Sequence, residues 1–132
     1  MRLSDWESQL SAYVTAKRDE PFAWGVNDCC LFAAGAVEAV TGDDPMLEFR
    51  GHYSNEFGAA RALVEIGAGT LEATLDGKFP EIGKALAQRG DLAFHEGAVG
   101  VVMGDFAWFV SDDGLTRIAR PLWTKCWSVG RG

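Results

Sequence analysis

Positive charge is scarce in this chain: 12 Lys and Arg stand against 19 Asp and Glu, a formal net charge of −7 over 132 residues. Such a surface builds no basic stripe for nucleic acid and no patch for anionic lipid, so neither partner is expected. Cysteine is scarce as well. Three residues, Cys29, Cys30 and Cys126, make a poor disulfide framework and suit a reducing compartment. A bridge between the adjacent Cys29 and Cys30 would be strained. With only two histidines, His52 and His95, the cysteines fall into no ligand-pair spacing for zinc. Asp43, Asp44 and Glu48 read as a solvated acidic loop. No metal and no cofactor is expected, and no Gly-rich phosphate loop or Ser-His-Asp set is present. Long hydrophobic runs are missing too: none approaches the ~20 residues of a membrane span. The opening "MRLSDWESQLSAY" lacks the apolar segment of a secretion signal, which predicts synthesis in a cytoplasm and no membrane insertion.

What is present describes one globular domain, residues 1–132. Hydrophobic residues make up 48% and charged residues 23%, enough to bury a core at this length without staples. Ser4 and Glu7 have capping-box spacing, and Trp6, Leu10, Tyr13 and Val14 follow at helical intervals, so a helix is expected over about 5–17. A second, over about 28–40, is apolar almost all round, which marks a central buried helix, and Gly42 should close it in the left-handed conformation. A third runs from near Ser54 to Gly67, and Thr70 caps a short stretch reaching Leu75. Beyond it the period changes. "DLAFH", "AVGVVM", "FAWFV" and "LTRIA" are short β-prone runs parted by turn residues, with Gly104-Asp105 as a two-residue hairpin turn and "WTKCWSV" as a last strand. Helices first and an antiparallel meander second predict an α+β fold, with the buried helix packed on the sheet.

The chemistry concentrates in "WGVNDCCLFAAGAVEAVTG", where a polar turn becomes the buried helix. A cysteine at a helix N-terminus can have a lowered pKa and act as a nucleophile, and it can equally be a small core residue. Asp28 opposes the first role, because one negative charge disfavours a second beside it. Cys30, a residue further round the helix, reads as core and outside the surroundings of Cys29.

Asp28-Cys29 with Leu31, followed downstream by "RGDLAF" (Gly90, Asp91, Leu92, Phe94) and "AVGVVMG", resembles the NlpC-type cysteine peptidases. The resemblance implies a papain-like α+β fold and, in active members, cleavage of cell-wall peptides with Cys29 as nucleophile. The "WGxxDCC" start is also similar to small proteins encoded among the tail genes of long-tailed phages. It implies a tail-tip or tail-assembly protein made in the host cytoplasm, carried in the virion and bound to other virion tail proteins. The family's general base falls at Ala98, and the residue orienting it falls near Val110. The alignment therefore points to a retired, non-catalytic site. The alternative is an active peptidase or amidase in which His95, ending the same strand, serves Cys29 as an irregular base. For a binding protein, the aromatic and cationic residues Phe49, Arg50, Tyr53, Trp123 and Trp127 are the expected partner contacts, since interface cores favour such residues.

Overall fold

A computed structural model describes residues 1–130. Four helices, α1 (Trp6–Lys17), α2 (Cys29–Thr41), α3 (Glu56–Glu65) and α4 (Leu71–Lys78), precede the strands. These are β1 (Glu81–Ile82), β2 (Leu92–His95), β3 (Ala98–Val102), β4 (Phe106–Ser111), β5 (Gly114–Ala119) and β6 (Lys125–Trp127). They form one antiparallel sheet in the order β1-β6-β2-β3-β4-β5. The α+β expectation is met.

Helix α2 is the centre of the molecule. Seven of its residues, Leu31 to Ala34 with Ala36, Val37 and Val40, are buried, as its all-round apolar character requires. One side meets α1, where Gly35 leaves room for the Tyr13 ring: a Cβ there would collide with the phenol. Tyr13 in turn stacks on Phe32 and donates its hydroxyl to the Phe32 carbonyl at 2.8 Å. The other side packs on β3 and β4. Gly42 ends the helix with φ +87°, and its N–H bonds to the Glu38 carbonyl.

Strands β2, β3 and β4 read as near-continuous apolar runs because both faces of the sheet are covered there. Leu92, Phe94, Val99, Val101, Trp108 and Trp127 face the helices. Ala93, Val102, Ala107, Phe109 and Cys126 face the other way, into a second, smaller core closed by Ala87 and Trp123. Short 3-10 turns at Lys84–Leu86 and Arg120–Leu122 flank those closing residues. The Arg120 guanidinium pins them by donating to the carbonyls of Lys84, Ala87 and Gly104.

Three details depart from expectation. The Ser4–Glu7 capping box does not form. Asp5 occupies the N-cap position of α1 without capping it, and its carboxylate takes the Gln9 amide instead. Just upstream, the Leu3 N–H donates to the Val40 carbonyl at 2.8 Å, which ties the entry to α1 onto the end of α2. Helix α3 starts at Glu56, capped by Asn55, whose side chain accepts from the Gly58 N–H. Strand β1 has no counterpart in the sequence reading, because two residues after Pro80 carry no period. The Gly104-Asp105 turn is as expected, with Met103 and Phe106 bonded across it. Thr70 caps α4, which runs on to Lys78.

No helix among the described residues is long and apolar enough to cross a membrane.

Candidate functional site

The turn before α2 is built by its own small and polar residues. Asn27 bridges back to Ala23, and its side-chain amide donates to the carbonyls of Glu20 and Pro21. Gly25 sits at φ +77°, and a Cβ there would collide with the Tyr53 carbonyl oxygen, so both conformation and space demand glycine. Its N–H donates to Asp28 Oδ2 at 3.0 Å. Asp28, only 1% exposed, caps α2: Oδ1 accepts the Leu31 N–H at 2.9 Å, and Oδ2 also accepts the Tyr53 hydroxyl at 2.6 Å. Burial and this bond to Asp28 push the Tyr53 phenol far up, so it stays a donor. The "WGVND" run is thus a cradle that holds one buried carboxylate and starts one helix.

Cys29 and Cys30 follow on the first turn of α2, and both line a hollow of about 200 Å³. Phe49, Tyr53 and Trp24 form part of its wall, α3 contributes Glu56, Ala59, Ala60 and Leu63, and Gly97 of the β2–β3 turn completes the rim. The expectation that Cys30 lies apart from Cys29 is corrected. The hollow curls round the helix end, so residues about 100° apart both reach it. Burial is the main cause that raises the Cys29 thiol pKa. The Val99 backbone hydrogen bond pulls it down and the Asp28 charge pushes it up further. Cys30 is raised by burial first, then by Asp28 and Cys29. A helix N-terminus alone does not make a thiolate here.

His95 does not serve this thiol. Alternation along β2 puts Leu92 and Phe94 on the helix side and His95 on the opposite face of the sheet. There its ring lies edge-on to Phe109, with Nδ1 at 3.0 Å from the Leu122 carbonyl and Nε2 at 3.8 Å from Glu96. His52 is exposed and lines a separate hollow on α3, beside Asn55 and Phe57. Ala98 pairs with His95 across the β2–β3 turn and packs into the second core. Val110 packs on the main core. No imidazole lines the hollow of Cys29.

Two of the expected partner contacts, Trp123 and Trp127, lie inside the fold. Trp123 is 2% and Trp127 0% exposed. Trp127 lies in β6, inside the sheet between β1 and β2, and Trp123, just before that strand, closes the second core. Trp123 donates Nε1–H to the Ile118 carbonyl, and Trp127 donates to Asp76 while meeting Phe94 edge-on. Phe49 is buried, Arg50 is paired with Asp44, and Tyr53 holds Asp28. These five residues build the fold and the hollow.

Residues 1–129 match the model of a family described as a domain of unknown function, DUF6950. The chain belongs to that family. No curated protein matches it. In this DUF6950 chain the site residues missed from sequence are Gly25 and Asn27. Their signal was available: a glycine three residues before an Asp that opens an apolar helix. The "RGDLAF" run also has a definite task. Asp91, fully buried, accepts from Arg2 at 3.0 Å and from the N–H groups of Gln88 and Val129. It belongs to the framework, and neither it nor its partners line the hollow. Among the described residues no group of three or more His, Cys, Asp or Glu is placed to hold a metal ion.

Proposed function

We propose that this chain is a catalytically retired, papain-like domain of NlpC type that acts by binding, as a tail-tip or tail-assembly component of a phage. The fold part of this reading is supported by Cys29 opening the most buried helix, against an antiparallel sheet. The loss of catalysis is supported by one observation above the others: the hollow at Cys29 holds thiols raised by burial and no imidazole. Peptide cleavage needs a base to make the thiolate and an acid to protonate the leaving amine, and this general acid–base help is worth roughly 10²–10⁴ in rate. The tail assignment rests on the resemblance of the "WGxxDCC" start. In the competing peptidase reading, His95 would have to cross the sheet to reach Cys29, and no observation favours that.

The test is a phage that encodes the chain. Cys29→Ser is expected to leave particle assembly and infectivity unchanged, and the purified protein is expected to cleave no cell-wall peptide. Cleavage that disappears in C29S would establish the peptidase instead, since loss of a true nucleophile costs several orders of magnitude in rate.

A further inference from the structure

We propose that the hollow beside Cys29 and Cys30 receives one large apolar side chain from a basic segment of a partner protein. This rests on the binding reading above and goes further, naming the contact site and the chemistry of what it takes.

Size and lining set the anchor. About 200 Å³ falls below the ~300–1,000 Å³ of pockets for drug-sized ligands and suits a single large side chain. Phe49, Ala59, Leu63 and Leu71 make the walls apolar. The buried carboxylate at the base is already engaged with Gly25, Leu31 and Tyr53 and demands nothing more from a guest. Trp24, 37% exposed, stands at the edge where an incoming chain would lie. Helix α3, the outer wall, turns Ala59, Ala60 and Leu63 towards the hollow and buries only Ala62. Such a helix is suited to being covered.

Charge selects the flanks of the segment. No Lys, Arg or His lines the hollow, whereas Glu56 does so from the exposed first turn of α3. The nearby cations are committed elsewhere, Arg50 to Asp44, Arg61 to Glu65 and Lys78 to Glu48. A partner therefore meets the Glu56 carboxylate beside an apolar hole, within a chain of net charge −7. Lysine or arginine beside the anchor complements that field, and it also speeds encounter.

The probes are short end-capped peptides that place glycine and lysine around one central leucine. Companion peptides carry alanine in place of leucine, or glutamate in place of lysine. Binding is read by NMR from the amides of Cys29, Ala59 and Leu63 in the isotope-labelled chain at low salt. The Lys–Leu peptide is expected to move these amides saturably, and the alanine peptide to bind about tenfold more weakly, as loss of the buried methyl groups requires. Glu56→Lys should weaken the lysine peptide and strengthen the glutamate one. Ala59→Leu, which narrows the hollow, should abolish the response, and E56K keeps the test decisive if that variant fails to fold. Equal binding of the leucine and alanine peptides, preference of the native chain for the acidic peptide (the mark of a cell-wall ligand), or unmoved amides would each overturn the proposal. Hydrolysis of the bound peptide would instead remove the non-catalytic reading and leave the hollow's ligand in place. Absence of binding with C29S phage still viable would remove only the proposal.

Discussion

Both carboxylate oxygens of Asp28 are occupied inside the fold, by two backbone N–H groups and one phenol. Replacing Asp28 with Ala removes an N-cap and strands those donors, and is expected to cost on the order of 3 kcal/mol in denaturant unfolding. Tyr53→Phe removes one donor and keeps the ring, so about 1–2 kcal/mol is expected. A ratio near one between the two would show that the cap contributes nothing. The thiols and phenols carry a second expectation. Burial raises Cys29, Cys30, Tyr13 and Tyr53, and pushes Cys126 up to about 11 from the ordinary 9.0. Groups raised in the folded state bind protons more tightly there than in the unfolded chain. Their contribution is therefore complete below pH 9.0, the ordinary thiol value, and is lost as pH climbs from there towards and beyond 11. The urea midpoint should hold steady up to about pH 9 and fall above it; a flat profile to pH 11 would refute the desolvation of these groups.

At the scale of elements, β6 carries the largest revision. Trp127 within it and Trp123 just before it looked like exposed anchors because aromatic residues beside Lys125 mimic an interface. Sequence position does not reveal that a final strand is inserted between β1 and β2. That pairing is long-range, and β1 is too short to announce itself. Helix α2 was legible for the opposite reason: thirteen residues with a capping Asp, apolar on every side and closed by Gly42, leave one reading. The three hairpins were legible from turn residues between apolar runs. The hollow was half legible. Asp28 and Cys29 were singled out by chemistry, but which imidazole could reach the thiol depends on the parity of β2, and period two places His95 away from α2 whatever its distance along the chain. Trp127→Ala therefore tests fold, with an expected loss of about 3–5 kcal/mol, enough to unfold much of a marginal domain by circular dichroism. A variant that stays folded and loses only assembly would restore the interface role.

For the whole molecule, the ends of the described chain are fastened to one another. Arg2 donates to the carbonyls of Arg89 and Val129 and to the Asp91 carboxylate, and it lies over the Trp6 ring. Asp91→Ala breaks this ion pair and strands the amides of Gln88 and Val129, so a loss of about 3–5 kcal/mol is expected, read as a lowered melting temperature. An unchanged melting temperature would show that the clasp is ornamental to stability. The insertion of β6 bears on biosynthesis. A ribosome releases β2 before β6, and until β6 follows, the flank of β2 that it will take lies open, with one wall of each core missing. The nascent domain thus carries a bare strand edge until β6 arrives, a state that invites mispairing with other strands.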